Sequence, residues 1–316
     1  MVLPFISAVY SSKSFLSKIF ISVYYNYMNK MFFTISSLFL LFFACSDENV
    51  SLNNGDDTDG IDYYTREVQP SLSADRSFVY YISVDTISSS KNGIYSFSTA
   101  TPRRVKILES NSYRSVSISA NKRKLAFLDN GQIKYFVFYD STLESSRFNE
   151  TFNSVVTVSN EILVGERNGF LYLIDEETGI SDLGEGYDPT LYQIDTIVYL
   201  QHFVMEYYGI MMRDIKSDKP DTLKIIQVSG KPRWVSLEPL LRRFVYTVES
   251  TPYNLIYSGS IGSSTQYFID STTYLKALML NFNLIIYPPL GTDGRFYQTT
   301  FDGSFSTPFW YSEIGP

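Results

Sequence analysis

Two stretches of the chain decide its fold: residues 70–81 read PSLSADRSFVYY, and residues 116–128 read VSISANKRKLAFL. Each begins with a short alternating segment, passes through a Ser-Ala-Asp or Ser-Ala-Asn turn, and continues into an apolar run. Asp, Asn and Ser favour turns, and β-branched and aromatic residues favour strands. The two stretches therefore predict a repeated unit in which a β-hairpin is built around a polar turn.

The same unit recurs in weaker form along the rest of the chain. Its six copies begin at residues 70, 116, 156, 189, 232 and 275, at intervals of 46, 40, 33, 43 and 43 residues. Repeats of about 40–45 residues are typical of the four-stranded blades of β-propellers. The interval of 33 residues predicts a third blade that has lost part of a strand. Later strands of the repeat are predicted at residues 93–97, 132–137, 169–174 and 294–298.

These units resemble the TolB-like repeat, whose blades begin Pro-x-(Trp/Leu)-Ser-x-Asp-Gly-Lys-x-(Leu/Ile)-x-(Phe/Tyr). The resemblance covers residues 65–312, although the Gly of the Asp-Gly turn is missing from every copy. It implies an all-β fold, a six-bladed β-propeller over residues 61–316, with little helix. It also implies ring closure by strands from both ends, which we place at residues 61–68 beside residues 305–311. Seven blades or an irregular β-sandwich assembly are the alternatives.

The first 44 residues have the composition of a targeting segment. They contain three Lys and no acidic residue, and residues 31–44 (MFFTISSLFLLFFA) are uncharged and mostly apolar. A membrane-spanning helix needs about 20 such residues, whereas a secretory apolar region needs about 7–15 behind a basic segment. We therefore predict a signal peptide over residues 1–44, in which residues 1–27 would precede the true start. A buried core helix is the alternative.

The segment Phe42-Phe43-Ala44-Cys45 resembles a bacterial lipobox, in which a small residue precedes a Cys that becomes lipidated. The usual Leu three places before the Cys is Phe42 here. The resemblance implies that diacylglycerol is attached to Cys45, the single Cys of the chain, after cleavage before it. Each buried CH₂ of an acyl chain contributes about 0.8 kcal/mol, so several chains anchor stably. An ordinary buried Cys is the alternative.

Residues 46–60 (SDENVSLNNGDDTDG) follow Cys45 and predict a flexible acidic linker. The pair Asp47-Glu48 resembles the export signal with which some Gram-negative bacteria place lipoproteins on the outer face of the outer membrane. We therefore expect a protein held at the outer membrane by its lipid anchor and exposed at the cell surface. A lipoprotein that faces the periplasm is the alternative.

Composition excludes several classes of function. The chain of 316 residues has one Cys, one His and a net charge of −7. These counts exclude an intrachain disulfide, a Cys-cluster zinc site and a multi-His metal site, and they disfavour nucleic-acid binding. Phosphate-binding Gly-rich motifs and a Gly-x-Ser-x-Gly nucleophile elbow are absent from the sequence. We therefore expect no cofactor, no metal and no nucleic-acid partner.

Three features of the sequence are candidates for a functional role. His202 lies in an apolar, strand-like stretch and is interpreted as structural. Trp234 is assigned to the Trp/Leu position of the repeat, where core packing is expected. Residues 204–212 are rich in Met and Tyr, and they predict either a buried strand or an adaptable binding surface. No catalytic residue is predicted.

The sequence therefore favours a monomeric, non-catalytic interaction module that binds a protein or glycan partner at the cell envelope. The alternative is a carboxylate-based, glycan-active enzyme that resembles glycoside hydrolases. Such an enzyme needs two carboxyl groups about 5–10 Å apart in one pocket, so the arrangement of Asp and Glu side chains discriminates between the two.

Overall fold

Antiparallel strands account for almost all of the regular structure. The computed structural model describes residues 65–85, 88–101, 103–109, 112–217, 219–290, 295–309 and 312–313, all within a compact unit of residues 59–316. In these ranges the only helical element is a single 3-10 turn, Ser89–Lys91. The predicted signal peptide, Cys45 and the predicted linker lie outside the described residues.

The strands form six sheets, each built from four consecutive strands that pair antiparallel. We number these sheets blades 1 to 6. Blades 1 to 3 contain β1 (Thr65–Leu72), β2 (Phe78–Asp85), β3 (Gly93–Ser98), β4 (Arg103–Glu109), β5 (Tyr113–Ile118), β6 (Lys124–Asp129), β7 (Gln132–Val137), β8 (Thr142–Ser145), β9 (Ser154–Thr157), β10 (Ile162–Arg167), β11 (Phe170–Asp175) and β12 (Gly179–Glu185). Blades 4 to 6 contain β13 (Tyr187–Gln193), β14 (Thr196–Val204), β15 (Tyr207–Asp214), β16 (Asp221–Gln227), β17 (Pro232–Glu238), β18 (Arg243–Val248), β19 (Asn254–Ser260), β20 (Gln266–Thr272), β21 (Leu278–Met279), β22 (Leu284–Tyr287), β23 (Tyr297–Thr300) and β24 (Ser306–Pro308). The all-β, six-bladed propeller is thereby confirmed.

The first strand of each blade is the innermost one, because the first strands of neighbouring blades contact one another around the ring. Small hydroxyl residues at one position of these strands join the blades. The Thr157 N–H donates to Ser117 Oγ at 2.9 Å, and the Met279 N–H donates to Ser236 Oγ at 3.1 Å. Thr190 Oγ1 donates to the Val235 carbonyl at 2.7 Å. The small polar residues of the repeat thus satisfy backbone groups between blades.

Apolar clusters fill the spaces between blades. Each adjacent pair of blades shares one cluster of buried side chains, and the six clusters together complete the ring. Second strands contribute a buried Tyr in four of the blades: Tyr81, Tyr199, Tyr246 and Tyr287. The Tyr287 hydroxyl donates to Asp270 at 2.6 Å. The abundance of Tyr in the sequence therefore serves the packing between blades, where a phenol can bury its ring and keep a polar partner.

The Ser-Ala-Asp and Ser-Ala-Asn turns explain how the chain dispenses with the Gly of the TolB-like repeat. Arg76 and Lys122 occupy the Gly position, with φ of 61° and 59°, although this left-handed conformation costs a non-Gly residue roughly 1–2 kcal/mol. Arg76 Nη2 donates to the Met279 carbonyl of blade 6 at 2.5 Å. Lys122 Nζ lies 2.5 Å from Asp75 Oδ2 of blade 1. These long cationic side chains bind the neighbouring blade, which a glycine could not do.

Blade 3 is complete, so the prediction that it lost part of a strand is wrong. Its four strands β9–β12 are joined by short turns. Asn168 and Gly169 link β10 to β11 with φ of 55° and 82°, the backbone of a two-residue hairpin turn. Gly186 alone separates β12 from β13, and a Cβ there would lie 2.6 Å from the Tyr199 ring. Short connections, not a missing strand, produce the interval of 33 residues.

Ring closure also differs from the prediction. Strand β1 is the innermost strand of blade 1, and β24 pairs with β23 of its own blade. The chain closes instead through β25 (Ser312–Glu313), which pairs in parallel with β4, the outermost of the four consecutive strands of blade 1. Residues 65–68 belong to β1, and blade 6 supplies its own fourth strand, so these residues do not lie beside residues 305–309.

Side-chain packing completes the junction between blades 6 and 1. The rings of Phe97 and Phe309 lie 5.0 Å apart, and those of Tyr81 and Phe296 lie 5.3 Å apart. The Phe296 N–H donates to the buried carboxylate of Glu67 at 3.2 Å. Aromatic contacts of this kind therefore hold the two ends of the ring together.

Candidate functional site

A bulge near the start of the innermost strands shapes the mouth of the channel along the propeller axis. In four blades, the residue two positions before the Ser or Thr that joins the innermost strands is a non-Gly residue with positive φ. These residues are Gln69 (57°), Ser115 (49°), Asp188 (52°) and Trp234 (51°). Each lies at a shift in the pairing between the first and second strands. A β-bulge re-aims the side chain at the bulged residue. Lys276 occupies the same position just before β21 of blade 6.

Trp234 is buried, as expected for core packing, but its assigned place in the repeat is wrong. The hydrogen bond from the Met279 N–H marks Ser236 as the counterpart of Ser117. Leu237 then occupies the Trp/Leu position, because it pairs with Phe244 as Leu72 pairs with Val79. Trp234 therefore lies at the bulge, on the wall of the channel mouth.

Arg233 bridges two carboxylates beside this bulge. Its Nη2 donates to Asp188 Oδ1 at 3.1 Å, and its Nε and Nη1 donate to Asp188 Oδ2 and Glu249 Oε1. The Trp234 N–H donates to Asp188 Oδ2 at 3.3 Å. Burial opposes the positive charge of Arg233, but the bonds to Asp188 and Glu249 raise its pKa above the usual value. Both oxygens of Asp188, a residue only 1% exposed, are thus engaged within the protein.

Lys276 brings a second cation to the channel mouth. It is 7% exposed, and its Nζ lies 4.7 Å from the centre of the Trp234 ring, within cation–π range. Burial lowers its pKa to about 8, and the nearby Asp188 charge opposes this shift. Among the described residues, the Lys276 ammonium has no hydrogen bond or ion pair. The cavity that Lys276 helps to line measures about 20 Å³, room for one water molecule.

A larger cleft opens between blades 3 and 4, and we call it the blade 4 cleft. Its volume is about 380 Å³ and its lining residues are Gly169, Phe170, Glu185, Gly186, Tyr187, Gln201, His202, Tyr208 and Lys231. Tyr187 begins β13 directly beside Asp188, so the cleft adjoins the channel mouth. A volume of this size lies within the range of small-molecule sites.

The walls of the blade 4 cleft combine aromatic rings with polar groups. Phe170 is 40% exposed, and Lys231 Nζ lies 4.6 Å from the centre of the Tyr187 ring. The Tyr187 hydroxyl is buried and has no hydrogen-bond partner within the described part of the chain. Burial, reinforced by the charge of Asp188, raises the pKa of Tyr187. The phenol therefore stays protonated, and its oxygen is closed off from solvent.

His202 lies in a strand, β14, but at its exposed end, where it lines the blade 4 cleft. Its Nε2 lies 2.9 Å from the Met205 carbonyl, and its ring centre lies 4.9 Å from that of Tyr208. These contacts hold the imidazole at the rim of the cleft.

The segment 204–212 is a buried strand over one part, as one interpretation predicts, and an exposed turn over the other. Val204, Met205 and Tyr207 are exposed around the turn between β14 and β15. Ile210 and Met211 are buried further along β15. The segment is therefore a buried strand that ends in an exposed apolar turn.

Sequence reasoning missed the charged members of the site. Asp188 directly precedes the repeat copy that begins at residue 189, and Lys276 is the second residue of the copy that begins at residue 275. A charged residue at that point of an otherwise apolar innermost strand was the signal available. Over the described residues, no group of three or more His, Cys, Asp or Glu could hold a metal ion. In the same residues, no helix is long and apolar enough to span a membrane.

Comparison with known proteins supports the fold alone. No family model matches the chain, and no curated relative is found. A structure assigned as a TolB from Agrobacterium tumefaciens is 12% identical, with a TM-score of 0.51 over 65% of this chain and 83% of that chain. TolB from Acinetobacter baumannii is 16% identical, with a TM-score of 0.49 over 63% of this chain.

The match spans about half of that second protein, 53% of its length. An oligogalacturonate lyase in complex with manganese is 10% identical, with a TM-score of 0.46 over 78% of this chain and 77% of that chain. Identities this low show a shared fold only, so the activity of this chain has to be inferred from its own candidate site. The described residues of this chain form a TolB-like six-bladed β-propeller.

Proposed function

We propose that the protein is a lipid-anchored cell-envelope protein whose propeller binds a glycan in the blade 4 cleft without catalysing a reaction on it. The observation that carries this proposal is the lining of the cleft, in which the exposed Phe170 ring and the Tyr187 ring lie beside the polar side chains of Gln201 and Glu185.

The chemistry of the lining suits sugars. The exposed ring of Phe170 can pack against the apolar face of a pyranose. Gln201 offers both a donor and an acceptor, and Glu185 offers carboxylate acceptors for sugar hydroxyls. Alternating apolar and polar contacts are what a polyhydroxylated ring requires, so the cleft favours a neutral glycan over a purely apolar ligand.

The arrangement of carboxylates supports binding over glycoside hydrolysis. Among the described residues that line the blade 4 cleft, Glu185 is the single carboxylate. The neighbouring Asp188 and Glu249 are both bound to Arg233. A hydrolase needs two carboxyl groups free to act on the glycosidic bond, so an enzymatic role is the second candidate.

A protein partner is supported by a different surface. Phe203, Val204, Met205 and Tyr207 form an exposed apolar turn at the rim of the blade 4 cleft. Flexible Met and rigid aromatic side chains are enriched at protein interfaces. A protein bound there would cover the cleft, so crosslinking from this turn separates the two kinds of partner.

The anchor is proposed from the sequence of residues 31–45. Metabolic labelling with a clickable fatty acid should mark the wild-type protein and not the Cys45→Ala variant. Protease treatment of intact cells should then remove the protein if it lies on the outer face. Equal labelling of both proteins would overturn the anchor and leave the cleft proposal standing.

The cleft proposal is tested with Phe170→Ala in the full chain on a glycan array. Because the Phe170 ring is 40% exposed, its truncation should change the melting temperature little. A lost contact between the ring and a sugar of about 0.5–1.5 kcal/mol should weaken glycan binding roughly 2- to 13-fold. The matched control is Phe305→Ala, at a ring that is 60% exposed in blade 6. Equal binding by all three proteins, or cleavage of any bound glycan, would contradict the proposal.

A further inference from the structure

We propose that the channel mouth around Lys276 is a second binding site, and that it takes the carboxylate of a small organic acid. This site lies in the wall of the channel, whereas the blade 4 cleft lies between two blades. The inference is independent of the proposed glycan binding, and its argument begins with the charge of Lys276.

The Lys276 ammonium is a buried cation whose hydrogen-bonding capacity is unused. Lys276 is 7% exposed, and its Nζ lies over the face of Trp234, 4.7 Å from the ring centre. An ammonium has three donors, and none of them has a hydrogen-bond acceptor within the described residues. Removing an ammonium from water is costly unless it is paired. An external anion would supply the missing partner.

Asp188, the charge that acts on Lys276, is committed elsewhere. Its Oδ1 accepts from Arg233, and its Oδ2 accepts from Arg233 and from the Trp234 N–H. Glu249 is bound to the same guanidinium. Asp188 therefore moderates the potential at Lys276 without forming an ion pair with it, and the ammonium is left free for a ligand.

The lining of the channel cavity is positive. Arg76 and Lys276 are its two charged residues, and no acidic residue is among the described residues that line it. The hydroxyl residues Ser71, Thr190 and Ser236 also line it. The Thr190 hydroxyl already donates to the Val235 carbonyl, so the donors open to a ligand are the cations and the Ser hydroxyls. Cations with neutral donors beside them favour an anion.

The size of the cavity selects the anion. Its volume of about 20 Å³ accommodates one water molecule, so the body of a ligand must stay outside. A flat carboxylate can present one oxygen to the Lys276 ammonium. A tetrahedral phosphate is bulkier and would need the wall to move. The geometry therefore favours a carboxylate at the end of a small ligand.

The test uses tryptophan fluorescence of the full chain. Trp234 and Trp310 are the two Trp residues, so Trp310→Phe leaves Trp234 as the reporter beside Lys276. Sodium acetate is titrated against sodium chloride at constant ionic strength, with acetamide and inorganic phosphate as further ligands. We expect a saturable change with acetate, none with acetamide, and weaker binding of phosphate.

Lys276→Met keeps the length of the side chain and removes its charge, and it should weaken acetate binding at least tenfold. The matched control is Lys219→Met, at an exposed Lys far along the chain in blade 4; it should bind acetate as the parent does. A melting curve for each variant shows that it is folded. Unchanged acetate affinity in Lys276→Met, equal binding of acetamide, or tighter binding of phosphate would each overturn the proposal. Phe170→Ala should bind acetate normally, which separates this site from the blade 4 cleft.

Discussion

Replacing Lys276 by Met should stabilise the protein at neutral pH, because it removes a buried charge that has no ion pair within the described part of the chain. Burial lowers the pKa of Lys276 from 10.5 to about 8. Each pKa unit corresponds to about 1.4 kcal/mol, so the charged side chain costs the folded state roughly 3 kcal/mol. The contact of the ammonium with Trp234 returns about 1 kcal/mol. The net gain for Lys276→Met is therefore about 2 kcal/mol, a rise in melting temperature of roughly 4–8 °C for a domain of this size.

The lowered pKa also predicts how the stability difference between wild type and Lys276→Met changes with pH. Below pH 8 the Lys276 side chain is protonated in both the folded and the unfolded protein, so the folded state bears the full cost. Between about pH 8 and pH 10.5 the folded protein releases the proton while the unfolded protein keeps it, so wild-type stability rises relative to the variant. The attraction between Asp188 and the Lys276 ammonium is already contained in the pKa of about 8, and Arg233 and Glu249 are present in both proteins.

The assay is thermal unfolding of wild type and Lys276→Met, followed by circular dichroism at pH 7 and pH 10. The variant should melt higher at pH 7, and the gap should shrink at pH 10. A variant that melts below wild type at pH 7 would refute the reasoning. So would a gap of equal size at both pH values, since titration of Lys276 could then not be its source.

Four further substitutions, in two matched pairs, test the contacts around the axis. Arg233→Gln leaves Asp188 buried without its cation and should lower the free energy of unfolding by about 3–5 kcal/mol. Glu249→Gln, at a half-exposed partner of the same guanidinium, should lower it by less than about 1 kcal/mol. Urea unfolding measures both losses, and equal losses would contradict the greater importance of the Arg233–Asp188 pair. Arg76→Ala and Arg76→Gly both lose the bond to blade 6, but only the Ala variant keeps the cost of the left-handed backbone. Arg76→Ala should therefore be less stable than Arg76→Gly by about 1 kcal/mol. Thermal melts that rank the two variants the other way would contradict this account of the turn.

Local patterns in the sequence were sufficient for the blades. The turn at residues 73–76, with Ser73 Oγ bound to Asp75 at 2.8 Å, is written in adjacent residues, and its copy at residues 119–122 folds the same way. Strand β7 was predicted with its observed bounds, residues 132–137. Turn chemistry and alternation of side chains act over a few residues, so they can be read without knowing the rest of the chain.

Contacts between blades could not be read in this way. Blade 3 is complete because Asn168, Gly169 and Gly186 form very short connections between its strands. The repeat spacing alone suggested a missing strand instead. Closure through β25 depends on which sheet edges remain unpaired once every blade has folded.

The chemistry of the axis is tertiary for the same reason. Asp188, Trp234 and Lys276 are each separated by more than forty residues and come from three different blades. Each is a single unusual residue in its own repeat copy, and the common register of the innermost strands brings the three side chains to one point. The sequence by itself therefore determined the repeat, the strands and the turns. Only the closed ring decided which charges meet at the channel mouth, because that meeting requires all six blades to be in place.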